Sequence, residues 1–335
     1  MLDVVLLLVS LGVILVGAEG FTNGVEWLGK KLKLTEGAVG SILAAVGTAL
    51  PETMIPIVAI LFGGGGHAGE EIGIGAILGA PFMLSTLAFF ITGVAVIAYR
   101  SRRPNFPRMN LDTRTMGRDL SFFLLVYTVA VLASFLGAHI WKQIIAIGLV
   151  IAYAIYAYLT VTNGHTLEEG EELNPLYLAR KTAEPATVVI LSQVILSLGL
   201  IVGGARLFVN GVEDLARIMG IPPFVLALII APIATELPEK FNSIIWVGRG
   251  KDTLALGNIT GAMVFQSSVI PAVGITMTSW ELTQGALISA VLAIASAGLV
   301  FLQISRKKYL TPYTLVGGGA FYSIFVLLVI SGFIR

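Results

Sequence analysis

Two glutamates directly follow prolines in the middle of long apolar runs. They are Glu52 in Gly47-Thr48-Ala49-Leu50-Pro51-Glu52 and Glu239 in Ala234-Thr235-Glu236-Leu237-Pro238-Glu239. Proline has no N–H, so in a helix the carbonyl of Gly47 loses its partner and that of Thr48 is distorted. Pro238 does the same to Ala234 and Thr235. A carboxylate in hydrocarbon is costly enough to read as functional, and free carbonyls at membrane depth are tolerated where they line a cavity. Each motif therefore offers backbone oxygens and a carboxylate within one turn. Two such motifs facing one another make a hard, all-oxygen cage with at least two negative charges. That suits Ca²⁺, which takes about 6–8 oxygens in flexible geometry. Soft metals are disfavoured, because the chain has no cysteine and only three histidines, His67, His139 and His165. Glu236 stands three residues before Glu239, on the same helical face. Clustered carboxylates raise one another's proton affinity, so three glutamates could hold Ca²⁺ when ionised and protons when the ion leaves. A pairing of Glu236 with Lys240, four residues on, is the alternative reading.

The elements that carry these motifs are membrane helices. Of 335 residues, 56% are hydrophobic and 12% charged, where a soluble domain has about 25% charged. A spanning helix needs about 20 mostly apolar residues. Ten such stretches are legible, at 3–22, 36–62, 71–98, 120–137, 139–160, 186–209, 222–248, 253–275, 282–303 and 311–334. The first apolar run, Val4 to Val16, lacks a basic n-region and is read as a membrane helix, not a signal peptide. A net charge of +1 implies no polyanionic partner, and no stretch resembles a nucleic-acid module. The spans hold no His-Glu-x-x-His, Ser-Lys or paired-Asp arrangement, and the chain has no Gly-x-x-x-x-Gly-Lys loop. Neither an enzyme nor a bound cofactor is expected.

The chain also repeats itself. Residues 17–52 and 204–239 align at a constant offset of 187 with 14 identities in 36 positions. Gly75, Ile77, Gly79 and Ala80 then meet Gly257, Ile259, Gly261 and Ala262 at an offset of 182. The reading is two five-helix repeats, 1–160 and 186–335, joined by an acidic linker at 161–185. Five is odd, so the second repeat enters from the opposite side. The expected fold is all-α, with ten transmembrane helices as two inverted repeats and helices 2 and 7 broken at the prolines. In such transporters the substrate site lies at the repeat interface. The glycines at 73, 75, 79, 257 and 261 are expected to serve close helix crossings, and Gly17–Gly24 and Gly203–Gly211 are candidate flexible ends or packing sites.

Alternate loops hold 16 of the 21 Lys and Arg, with the densest group at Arg100, Arg102, Arg103, Arg108, Arg114 and Arg118. By the positive-inside rule that side is cytoplasmic, the linker with it, and both termini lie outside. The basic loop 99–119 reads as an anchor on anionic lipid. The acidic run Glu168, Glu169, Glu171, Glu172 reads as a solvated linker.

The paired motifs carry a resemblance. Residues 47–52 followed by Gly-Ala-Ile-Leu-Gly-Ala (75–80), and 234–239 followed by Gly-Asn-Ile-Thr-Gly-Ala (257–262), resemble the two signature repeats of the sodium/calcium exchanger superfamily. The resemblance implies that Glu52 and Glu239 chelate Ca²⁺, helped by the carbonyls of Thr48 and Thr235. The departures from that pattern fall on the Na⁺ sites. The family's motif serines are Ala49 and Glu236 here, its closing serines are Ala80 and Ala262, and its Asn or Asp four residues further on are Leu84 and Gln266. Gln266 and Glu236 are kept as candidate ligands. Ser85, Thr86, Ser267 and Ser268 could supply oxygens nearby or bond helix carbonyls.

The expected function is a secondary antiporter that exports Ca²⁺ in exchange for Na⁺ or H⁺ across the plasma membrane. It works through one alternating site, with lipid and the ions as partners and a monomer sufficient. A cation channel with a glutamate ring and an ion-binding homologue that moves nothing are the alternatives.

Overall fold

The structure, a computed structural model, describes residues 2–31, 44–63, 67–163, 174–182 and 184–334. Among these the chain forms ten helical rods. They are α1 (Leu2–Lys31), α2 (Ala44–Phe62), α3 (His67–Ala98), α4 (Thr113–Phe135), α5 (His139–Asn163), α6 (Thr187–Met219), α7 (Pro223–Gly248), α8 (Asp252–Met277), α9 (Gln284–Lys307) and α10 (Pro312–Ile330). Eight are long and apolar enough to cross a membrane, and α2 and α7 carry the shorter apolar stretches Glu52–Phe62 and Pro223–Ile233. Exposed Ile140, Ile144, Ile147, Ile151 and Ile155 run along one side of α5, a stripe that in an integral membrane protein faces lipid.

α1 and α6 are longer than the apolar runs that announce them. They continue through Gly24 and Gly211 as helix, because these glycines are packing sites rather than flexible ends. A Cβ on Gly17 would meet Ile201 Cγ1 at 2.9 Å and the Ser197 carbonyl at 3.0 Å. A Cβ on Gly204 would meet Ile14 Cγ1 at 2.8 Å and the Ser10 carbonyl at 3.1 Å. Gly24 lies on Val194, and Gly211 on Leu7. Every member of one contact is the other's counterpart at offset 187, and the contacts descend α6 as they ascend α1. The two helices are antiparallel about a local two-fold axis. The identity therefore reaches back to Ser10-Leu11-Gly12-x-Ile14 and Ser197-Leu198-Gly199-x-Ile201, ahead of the aligned stretch.

The helix interruptions are not at the prolines of the two motifs. Ala44–Phe62 and Pro223–Gly248 each run as one helix through Pro51 and Pro238, so each proline removes a hydrogen bond without ending the rod. The irregularities fall in the next helix of each half. α3 widens into a π-turn at Leu84–Ala88, and α8 is interrupted at Ser267 and Ser268 between Asp252–Gln266 and Val269–Met277. Their positions match at offset 182. The hydroxyls of Ser85 and Thr86 donate to Phe82 O, and that of Ser268 to Val264 O. Such back-bonding competes with the helix ladder and bends it. These residues thus bond helix carbonyls, the second of the two roles open to them.

The halves are interleaved. Phe89–Ala98 packs on α10 and Val269–Met277 on α5, while α4 packs on both α9 and Asp252–Gln266. Gly75 and Gly79 seat α3 on α7: a Cβ at Gly75 would stand 2.5 Å from Phe224 O, and one at Gly79 would stand 2.8 Å from Pro232 Cγ. Gly73 meets Ile60 of α2 in the same way. At Gly257 and Gly261, no described atom lies within 4 Å of the Cβ position. Of the linker, residues 164–173, with the four-glutamate run, lie outside the described residues. Its last stretch docks: Asn23 and Trp27 side chains donate to Asn174 O, and Leu178 N donates to Gln193 Oε1.

Candidate ion site

α2 and α7 bring the first acids inside. Glu52 is 8% exposed and Glu236 2% exposed, on helices that touch one another and both touch α3. Nothing in a bare apolar core would hold such groups, since an ionised carboxylate in low dielectric must be paired, bonded or protonated. Glu236 accepts such a bond from Gln266 Nε2 at 3.1 Å. That contact crosses from α7 to α8, and it joins two positions picked out as candidate ligands. Gln266 is itself buried, and its other amide atom, Oε1, meets no donor among the described residues. A buried acceptor with spare capacity is what a cation, or a water carried with it, would use.

Thr235 is 4% exposed and its hydroxyl donates to Ala231 O at 3.0 Å. This turns its Oγ1 toward its own helix. Its backbone carbonyl stays as a possible oxygen donor, as does that of Ala234, which Pro238 deprives of a helical partner. The side chains of Thr48, Glu239 and Lys240 lie outside the described residues, and with them the ligand roles of Thr48 and Glu239 and the Glu236–Lys240 pairing. Among the described residues no three acidic or imidazole side chains converge.

Residues 2–162 and 189–332 match the family model described as sodium/calcium exchanger protein. The chain belongs to the sodium/calcium exchanger family. It is 26% identical over 279 residues to the putative antiporter CaxA of Alkalimonas amylolytica, covering 81% of this chain and 79% of that one. Among solved structures, the H⁺/Ca²⁺ exchanger CAX superposes with a TM-score of 0.73 at 18% identity, over 98% of this chain and 82% of that one. The sodium-calcium exchanger NCX_Mj superposes with a TM-score of 0.57 at 21% identity, over 97% and 98%. At these identities the two structures establish the fold, an all-α exchanger bundle. The protein is an integral membrane transporter of the exchanger family.

Sequence reasoning missed two buried acids of this exchanger. Asp119 is 3% exposed and accepts from Thr260 Oγ1 at 2.9 Å and from Tyr156 OH at 2.6 Å. The hydropathy boundary at residue 120 fell one residue past it. Asp252, fully buried, accepts from Nη1 and Nη2 of Arg103 at 2.7 Å each and from the Asn110 N–H at 2.9 Å. It was hidden by the basic loop that neutralises it.

Proposed function

We propose that this protein is a Ca²⁺ antiporter of the inner or plasma membrane, exchanging Ca²⁺ for H⁺ or Na⁺ through one alternating site between two inverted repeats, 1–160 and 186–335. The observation that carries the reading is the burial of Glu52 and Glu236 inside the helices of a sodium/calcium exchanger family member. Glu52 and Glu239 are the divalent ligands, aided by the carbonyls of Thr48 and Thr235. Competing ions use the same acids, so either can neutralise the site, whereas an empty, doubly charged site resists the switch between faces. That requirement separates exchange from leak. No nucleotide or other cofactor is assigned, and a single chain suffices.

The counter-ion favoured is H⁺. Oxygens of the family's Na⁺ sites are replaced by Ala49, Ala80, Leu84 and Ala262, and a protonatable group, Glu236, stands in the position of a serine hydroxyl. The relative named an H⁺/Ca²⁺ exchanger is consistent with that choice. The cytoplasmic side is taken as the side of the basic loop 99–119, with the linker 161–185 on it and both termini outside.

The test is Ca²⁺ uptake into proteoliposomes, driven separately by a pH gradient and by a Na⁺ gradient. Uptake with the pH gradient alone is expected. Uptake with Na⁺ alone would reassign the counter-ion. Ca²⁺ flux without any counter-ion would make the protein a channel, and none under any gradient would remove the Ca²⁺ reading.

A further inference from the structure

Asp119 is a buried carboxylate that the ion cage does not use, and it is held by three helices at once. Its Oδ2 accepts from Thr260 Oγ1 of α8 at 2.9 Å, and its Oδ1 from Tyr156 OH of α5 at 2.6 Å. Arg118 of its own helix lies 3.3 Å away, with its guanidinium 5.1 Å from the centre of the Tyr156 ring. A carboxyl group bonded to a guanidinium and two hydroxyl donors is held from three sides. Through these bonds α4 and α5 are tied to Thr260, in the second half of the first part of α8.

That part of α8 is held at its start by Asp252 and Thr253, and its far end needs a hold of its own. It runs from Asp252 to Gln266 and stops at the interruption Ser267-Ser268. A helix broken at one end cannot pass its rotation on through the backbone ladder, so side contacts must set its register. Thr260 is fully buried, and its counterpart at offset 182, Leu78, has no hydroxyl. Six residues beyond Thr260, about 9 Å along the axis, comes Gln266, whose amide reaches Glu236 on α7. The rigid rod from 260 to 266 therefore joins two contacts: Asp119 on the scaffold side and Glu236 on the ion side.

We propose that Asp119 is a positioning residue for ion binding, fixing through Thr260 the height and rotation of Asp252–Gln266 so that Gln266 stays on Glu236. This rests on the reading of Glu236 and Gln266 as part of the Ca²⁺ site. Groups that orient metal ligands typically change affinity by about 10–100-fold when removed.

Thr260→Val removes the donor while keeping the shape. It should raise the half-saturating Ca²⁺ concentration about tenfold, with the maximal rate within about twofold. Thr260→Ser, which restores the hydroxyl, should recover the original value. Asp119→Ala should raise the same constant, and the double variant Asp119→Ala/Thr260→Val should be no worse than Asp119→Ala alone. An unchanged half-saturation in Thr260→Val, or effects that add in the double variant, would overturn the proposal. A second measurement does not depend on the transported ion. Hydrogen exchange in the detergent-solubilised full chain should quicken at 261–268 in Thr260→Val and not in α9; equal exchange there would also overturn it. Should the wild type take up no Ca²⁺ at all, the functional reading fails, and the exchange measurement still decides whether Asp119 holds α8.

Discussion

Glu236 is 2% exposed and accepts from the Gln266 amide. On the proposed reading it supplies a carboxyl group where the family pattern has a serine hydroxyl, which is where a proton could replace Na⁺. Three substitutions separate the roles. Glu52→Gln keeps the size but removes a charge and turns one acceptor oxygen into a donor, and should abolish Ca²⁺-dependent exchange while the protein stays folded; Glu239→Gln should do the same. Uptake in proteoliposomes measures both, and retained transport in either would reassign the site. Glu236→Ser restores the hydroxyl of the family pattern and should weaken the pH dependence of uptake or introduce a Na⁺-driven component. An unchanged pH profile and Na⁺ response would remove Glu236 from proton coupling. At this scale the sequence exposed the acids that sit inside apolar runs, because their cost is visible without a fold. It did not expose Asp119 or Asp252. Each stands at the polar end of a span, where an acid looks solvated until the helices that close over it are known.

At the scale of elements, small residues set the distances. Ser10, Gly17 and Gly24 on α1 and Ser197, Gly204 and Gly211 on α6 recur every seven residues. The glycines let the two antiparallel backbones approach to where a Cβ would clash. In a membrane such close packing replaces the hydrophobic drive between helices. Gly17→Leu and Gly204→Leu should each destabilise the protein, in the range of about 1–3 kcal/mol typical of overpacking, and by similar amounts, since their surroundings are two-fold related. Gly12 and Gly199 are equivalent in the repeat, but no described atom lies within 4 Å of their Cβ positions. Gly12→Ala and Gly199→Ala should leave the melting temperature in detergent unchanged or raise it. Unequal effects at 17 and 204, or a loss at 12 and 199 as large, would contradict the packing argument. The ten rods and their order were legible from hydropathy. The interruptions were misplaced because proline was read as a breaker. A single missing N–H can be absorbed within a helix. The π-turn and the break at Ser267-Ser268 combine back-bonded hydroxyls with a nearby proline, Pro81 before the first and Pro271 four residues after Ser267, a combination that hydropathy alone does not mark.

Across the whole molecule, the start of each third helix is tied to the loop that leaves its counterpart. Glu70, at the start of α3, accepts from the Ser279 N–H and hydroxyl in the loop after α8. Asp252, at the start of α8 and equivalent to Glu70 at offset 182, accepts from the Asn110 N–H in the loop after α3 and pairs with Arg103. The ties are alike in topology and unlike in energy. The contacts of Glu70 with Ser279 are exposed, while Asp252 is fully buried and Arg103 10% exposed. Arg103 also donates to Val247 O, the last turn of α7. The loop that sequence alone reads as a lipid anchor is therefore also the clasp between the halves. Removing one partner of a buried pair leaves an uncompensated charge, which costs about 3–5 kcal/mol, whereas replacing both by apolar groups is often close to neutral. Arg103→Leu should thus lower the unfolding temperature in detergent steeply. The double variant Arg103→Leu/Asp252→Leu should recover much of the loss, short of wild type because the Asn110 N–H is then left without its acceptor, a penalty of about 1–3 kcal/mol. Glu70→Gln, at the exposed counterpart, should shift stability by no more than about 0.5 kcal/mol, as surface changes usually do. If the double variant is as unstable as Arg103→Leu alone, the cost lies in lost packing of the loop and not in a stranded charge. The basic loop would then act on the halves by shape rather than by electrostatics.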